Sequence, residues 1–265
     1  MGVRMAAMFR RFLIALFCTT SLLAMAATDD LAALKKTGVL KIAVDTTYPP
    51  MEYEDDKGQV VGFDVDFAKE LAKRLGVKAE FVVMPWDGIL AGLAGKRYDV
   101  IISSMTITPE RSQTVNFVEY VQMGQIFVIK NGGKVVKTAS DLAGLVVAVQ
   151  RDTTSSEAVE EMKKTIAIKD IKMFGAATDA FSALKAGQAD AIVIDEPVGN
   201  YYVALDAKTF VISGQAMKPE PIGIAVRKAD PKIHAELTKV LAAMKKDGAY
   251  SRIFKQWFGK EPTKL

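Results

Sequence analysis

The chain is expected to be an α/β protein with mostly parallel sheets, arranged as two lobes that face each other across a crevice. Two observations predict this. Strand-like and helix-like segments alternate from Val39 to the C-terminus, the pattern of β-α units rather than of an all-β or all-α domain. The second is an internal echo. Gly92 to Ile102 (G-L-A-G-K-R-Y-D-V-I-I) resembles Ala183 to Val193 (A-L-K-A-G-Q-A-D-A-I-V). Each copy is a helix end, a turn and a buried strand opened by an aspartate, Asp99 or Asp190. Five residues on from that aspartate stand Ser104 in one copy and Asp195 in the other. Two similar units thus deliver polar side chains to the same strand end, where open α/β sheets bind ligands.

The N-terminus reads as a cleavable leader. Arg4, Arg10 and Arg11 form a basic region, Phe12 to Leu23 an apolar one, and Ala24-Met25-Ala26 a small-x-small cleavage pattern. The apolar run is too short to span a bilayer and contains Thr19, Thr20 and Ser21. Residues 1–26 are therefore expected to be a signal peptide, which places the remainder outside the cytoplasm. That leader holds three arginines and no acids, so its loss lowers the formal charge from +4 to +1. A chain so close to neutral lacks the basic excess of a nucleic-acid binder. The single cysteine, Cys18, leaves with the leader. Disulfides and thiol chemistry are then excluded, and one histidine, His234, makes a zinc site improbable on composition. No cofactor motif is present: there is no Gly-rich phosphate loop and no Ser-His-Asp arrangement.

Taken in order, Leu31 to Lys36 reads as a short helix stopped by Gly38, and Val39 to Val44 as a strand. Asp45 to Pro50 is an extended loop because two prolines close it. Met51–Tyr53 and Val60–Phe63 flank a hairpin turn at Asp55 to Gly58. Phe67, Leu71 and Leu75 recur at helical spacing, with Asp64 as the expected cap and Gly76 as the stop. Glu80 to Met84 reads as a strand, Trp86 to Ala94 as a helix and Asp99 to Ser103 as a strand. Thr108-Pro109 is an N-cap followed by a first helical position. No regular element is evident between Arg111 and Gln125. Gln125 to Ile129 is a strand, Ser140 caps a short turn, and Leu145 to Gln150 is a strand leading into a helix that runs to Lys164. Ile171–Phe174, Ala191–Ile194, Phe210–Ile212 and Gly223–Val226 are extended. Thr178–Ala186, Pro197–Leu205, Pro231–Lys246 and Tyr250–Phe258 are helical.

Candidate site residues gather at strand ends. Ser103, Ser104 and Thr106 sit where a strand gives out, and Arg111 lies one short turn into the helix that Thr108 caps. Arg111 is either an ordinary surface arginine or, because a cation near a helix N-terminus opposes the helix dipole, one that calls for an anionic partner, a bidentate carboxylate being suited to a guanidinium. Asp195 ends a buried strand and either caps the next helix or accepts an ammonium. Asp45, at the end of the first strand, has the same two readings. Tyr48, in the proline-rich loop, is a candidate pocket wall, whereas Trp86 reads first as core. Thr153 and Thr154 open a helix and either cap it or present its N–H groups to an anion.

Four motifs carry a resemblance: Thr47-Tyr48-Pro49-Pro50-Met51-Glu52, Gly62-Phe63-Asp64-Val65-Asp66, Met105 to Arg111 (M-T-I-T-P-E-R) and Ala191 to Pro197 (A-I-V-I-D-E-P). In this order the chain resembles the periplasmic solute-binding proteins of polar amino-acid uptake, extracellular solute-binding family 3. The resemblance implies a two-lobed type II periplasmic binding fold with two hinge strands. The first lobe would comprise residues 27–124 and 222–265, and the second residues 125–221. It implies a monomeric, non-enzymatic receptor in the periplasm. Such a receptor captures a free L-amino acid, polar or cationic, and delivers it to the permease of an ABC importer by hinge closure. By the same resemblance Arg111 pairs the ligand carboxylate, Ser104 and Thr106 help hold its two ends, and Asp195 takes the ammonium. Tyr48 and Trp86 wall the pocket, and Thr153 and Thr154 supply the second lobe's carboxylate contact. One departure is Asp152, where the family often has glycine before the threonine pair. A dehydratase of the same architecture, acting on arogenate- or prephenate-like substrates, is the competing expectation.

Overall fold

The computed structural model describes residues 29–262, so the expected signal peptide lies outside the described residues. Helix α1 (Asp30–Thr37) is capped by the Asp29 side chain and stopped at Gly38, which adopts the left-handed conformation. Strand β1 (Val39–Val44) comes next. A three-stranded hairpin sheet, β2 (Thr47–Tyr48), β3 (Glu52–Glu54) and β4 (Val60–Val61), leads into α2 (Phe63–Leu75). Then come β5 (Lys78–Val83), α3 (Ile89–Ala94), β6 (Val100–Ile101), α4 (Arg111–Thr114) and β7 (Val115–Met123). Past Gly124 the chain forms β8 (Gln125–Lys130), a 3-10 turn at Ala139–Leu142, β9 (Val146–Gln150), α5 (Thr154–Lys163) and β10 (Asp170–Phe174). It continues through α6 (Ala177–Lys185), β11 (Ala191–Asp195), α7 (Glu196–Leu205) and β12 (Phe210–Ser213). Strand β13 (Glu220–Arg227) and helices α8 (Pro231–Lys246) and α9 (Ala249–Phe258) complete it.

The strands form two five-stranded sheets of matching topology, β5-β1-β6-β13-β7 and β10-β9-β11-β8-β12. In each, three strands run parallel and two antiparallel to their neighbours, so the sheets are mixed rather than mostly parallel. The antiparallel strands are those at or beside the crossings: β7 and β13 on one side, β8 and β12 on the other. The first sheet takes strands from both ends of the chain, and β13 already pairs with β7 at Glu220↔Met123. The internal echo has a structural basis. Asp99 accepts from Lys41 N–H (2.9 Å), and Asp190 accepts from Val146 N–H (2.8 Å). Each thereby locks its strand to the start of the parallel neighbour.

Each sheet buries an apolar layer. Phe63, Phe67, Leu71 and Leu75 of α2 pack with Tyr120, Tyr250 and Phe254, and Phe63 and Phe67 are fully buried. In the second lobe Val147, Val149 and Val193 are fully buried with Leu142 and Val159.

Several boundaries differ from the sequence reading. Asp64 does not cap α2, whose N-cap is Gly62, two residues earlier, without a side-chain cap; Asp64 is wholly buried instead. Gly88, at φ +94°, delays α3 to Ile89 and leaves Trp86 in the preceding loop. The 3-10 turn is capped by Thr138 and Asp141 rather than by Ser140. The nine-residue strand β7 fills the stretch that shows no regular pattern in sequence. Its alternation is broken because β13 shifts register against it between Ile222 and Gly223.

Candidate functional site

The carboxyl ends of β1, β6, β9 and β11 converge on one small cavity. All ten residues singled out in sequence line it: Asp45, Tyr48, Trp86, Ser103, Ser104, Thr106, Arg111, Thr153, Thr154 and Asp195. Glu52, Gln150 and Ser155 join them.

Arg111 opens α4, whose N-cap position is Glu110 rather than the expected Thr108; the Thr108 hydroxyl accepts from Arg111 N–H at 3.1 Å from the turn before it. The guanidinium is buried, and its Nη1 and Nη2 donate to the carbonyls of Thr106 (3.0 Å) and Asp152 (3.1 Å). It lies over the Trp86 ring, 5.6 Å from the centroid, within cation–π range. Trp86 is thus more than core: its Nε1 donates to the Asp152 carbonyl at 2.8 Å. Burial pushes the Arg111 pKa down, and Glu157, Glu110, Glu220 and Asp195 pull against it. None of the ion pairs among the described residues includes Arg111.

Asp152, the departure from the pattern of the resembled family, fits the site. It takes φ +59°, a left-handed backbone that glycine enters freely, and its side chain is exposed. What it directs inward is its carbonyl, not its carboxylate. An anion site therefore loses nothing to it, and it offers no charge for a cationic side chain.

The hydroxyls divide into two sets. Ser103 Oγ accepts from Asp45 N–H (2.9 Å) and donates to Glu52 (2.8 Å). Ser104, at φ +50°, gives both its N–H (2.8 Å) and its hydroxyl (3.2 Å) to Asp64. Thr153 is occupied by its own helix, donating to Gln150 O and accepting from Ser156 N–H. These three hold the walls together. Thr106 and Thr154 instead meet each other, hydroxyl to hydroxyl at 3.2 Å, and Gln125 donates to Thr154 from the hinge (3.0 Å).

Asp195 ends β11, and its side chain makes no cap to α7, which removes the capping reading. It is buried and accepts a bond of 2.8 Å from the Tyr48 hydroxyl. Burial raises its pKa to about 7, with Glu220 adding to the rise and Tyr48 and Arg111 opposing it. It too belongs to none of the ion pairs among the described residues.

A second acidic end lies at the β1 terminus. Gln150 Nε2 donates to Asp45 Oδ2 at 2.6 Å. Burial raises the Asp45 pKa against the hydrogen bonds from Gln150 and Thr47. Gln150 is not singled out in sequence, yet it is a polar residue ending an apolar strand (V-V-A-V-Q), the signal that marks Asp195. Contacts from both lobes close the cavity: Tyr48–Asp195, Gln150–Asp45, Thr106–Thr154, and the Asp152 carbonyl with Arg111 and Trp86. Outside it, Ala177 N–H meets Thr47 Oγ1 at 3.3 Å and Arg151 pairs with Asp87 at 3.6 Å. Among the described residues no acidic, histidine or cysteine cluster is placed to hold a metal ion, and no helix is long and apolar enough to cross a membrane.

Known proteins resemble this chain along nearly all of its described length. The L-cystine-binding protein TcyJ of Escherichia coli K12 is 33% identical over 233 residues, 87% of this chain and 86% of its own. The structure of an ancestral arginine-binding protein bound to arginine superposes with a TM-score of 0.81 at 41% identity, covering 84% of this chain and 99% of that one. The ancestral amino-acid-binding protein AncCDT-1, a precursor of cyclohexadienyl dehydratase, gives 0.80 at 39% identity, covering 86% and 99%. A sequence model of the bacterial extracellular solute-binding proteins, family 3, matches residues 40–260, and the chain belongs to that family.

Proposed function

We propose that this protein is the periplasmic receptor of an ABC importer for a free L-amino acid with a cationic side chain. One observation carries the reading. A buried guanidinium, Arg111, and a buried carboxyl, Asp195, line the same cavity from different lobes, and neither is ion-paired within the described chain. Buried charges of opposite sign without partners suit a ligand that brings both countercharges, and an amino-acid zwitterion does so. In this reading the ligand carboxylate takes Arg111 with Thr106 and Thr154, and its ammonium takes Asp195. The ends of β1 and β9 then face the side chain. Asp45 supplies acid there, Gln150 an amide, and the Trp86 ring a surface over which a flat cation can lie. The relatives named for arginine and for amino acids support this class of ligand. Capture is by closure of the two lobes about the crossings at Gly124 and at residues 214–219.

The test is a thermal-shift panel of the common L-amino acids, followed by calorimetry. Ligands that bind only the folded state raise the melting temperature. Arginine, lysine or ornithine is expected to give the largest rise. Arg111→Ala should weaken the best ligand by roughly a hundredfold or more with the fold intact, since it leaves a buried carboxylate unpaired. A flat panel, or unchanged affinity in Arg111→Ala, rejects the reading. Incubation with an arogenate-like substrate separates capture from turnover, because a receptor returns it unchanged.

A further inference from the structure

Behind the cavity wall lies a second buried acid that the ligand scheme leaves unused. Glu52 and Asp64 are 1% and 0% exposed. Asp64 is well served: the Tyr120 hydroxyl donates to it at 2.8 Å, and Ser104 gives it both N–H and hydroxyl. Glu52 is not. Its Oε1 takes the Ser103 hydroxyl, while its Oε2 has no hydrogen-bond partner among the described residues. Glu52 lines the ligand cavity and is joined to Asp45 through one hydroxyl, in the chain Asp45 N–H to Ser103 Oγ to Glu52.

Charge around the pair is one-sided. Asp45 faces it from the loop after β1, Tyr48 from β2, Ser103 and Ser104 from the end of β6, Tyr120 from β7 and Tyr250 from α9; Asp195 is reached through Tyr48. None of these is a cation. Lys245 packs on the Tyr250 ring, and no ion pair among the described residues includes Asp45, Glu52 or Asp64. The two carboxyl groups are anchored on adjacent residues, Ser103 and Ser104, and the charge of Asp64 disfavours ionisation of Glu52. One proton on Glu52 leaves a single negative charge on the pair.

We infer that Glu52 and Asp64 form a proton site coupled to the ligand cavity, which releases its proton to solvent when a cationic side chain settles beside Asp45. The cation supplies the countercharge that the proton supplies without it. Burial, with the charge of Asp64 beside it, pushes Glu52 well above its ordinary range, and burial raises Asp64 to about 6, so both changes favour holding a proton. This rests on the cationic amino acid proposed as the ligand.

The experiment is calorimetry of L-arginine binding near pH 8, where Asp195 is already mostly ionised, in two buffers of different ionisation enthalpy. The buffer dependence of the heat counts protons released, and up to about one per arginine is expected. Glu52→Gln keeps the shape and the acceptor for Ser103 but cannot share a proton, so the count should fall towards zero while arginine still binds. Equal counts in the two proteins, or no release at all, overturn the coupling and leave the receptor reading intact. No heat with arginine or any other amino acid rejects both. Should Glu52→Gln fail to fold, infrared difference spectra of the native protein decide. Arginine should remove a protonated-carboxyl C=O band, and a spectrum without that loss overturns the inference.

Discussion

Asp152 shows how a residue can serve a site through its backbone. Its left-handed conformation aims one carbonyl at both Arg111 and Trp86 across the lobes. Aspartate tolerates that conformation better than most residues, and a β-branched side chain does not. Asp152→Val should therefore cost about 1–3 kcal/mol in chemical denaturation, while Asp152→Gly should stay within about 1 kcal/mol of the parent. Arg111→Lys tests the same contact from the other side. Lysine keeps the charge but not the planar fork that meets two carbonyls, so ligand affinity should fall by about 2 kcal/mol, some 30-fold by calorimetry. Residue types at strand ends were the most legible part of the site: all ten candidates line the cavity. Sequence could not tell which hydroxyls are already spoken for. Ser103, Ser104 and Thr153 turn to Glu52, Asp64 and α5, and those partners are up to 51 residues distant.

Elements were legible where the pattern is local. Helix α2 announces itself by apolar spacing and by Gly76. Strand β7 does not, because its partner β13 lies a hundred residues on and a register shift breaks the alternation that would betray it. The α2 start was misplaced for a related reason. Gly62 serves there because the hairpin backbone passes too close for any side chain. A Cβ at Gly62 would lie 2.1 Å from the Met51 carbonyl oxygen, at φ +139°. That approach lets the Met51 carbonyl accept from Asp64 N–H at 2.9 Å and sets Asp64 under Ser104. Gly62→Ala should thus destabilise the protein by about 3 kcal/mol, read as a lower denaturation midpoint, and loosen the acidic pair as well.

At the scale of the molecule, pH acts through the buried acids. Asp195 and Asp64 have folded-state pKa values of about 7 and about 6, above the 3.8 of an exposed aspartate. A raised value means that the folded chain binds the proton more tightly than the unfolded one. Their contribution to stability is full below the unfolded value and is lost as pH rises through the folded one. The ligand-free melting temperature should therefore fall between about pH 4 and pH 8. The rise produced by a cationic amino acid should grow over the same range. Scanning calorimetry with and without arginine across that range checks both slopes, and a ligand-free melting temperature that climbs with pH contradicts them.

The matched locks at Asp99 and Asp190 have a consequence for how such a receptor can change over generations. Each fastens its sheet at the end remote from the cavity. Asp195, at the opposite end of one such strand, is left free of that duty. Inheritance can keep one end of a strand constant and experiment with the other. A duplicated architecture built this way can acquire new tastes in ligand without relearning how to fold.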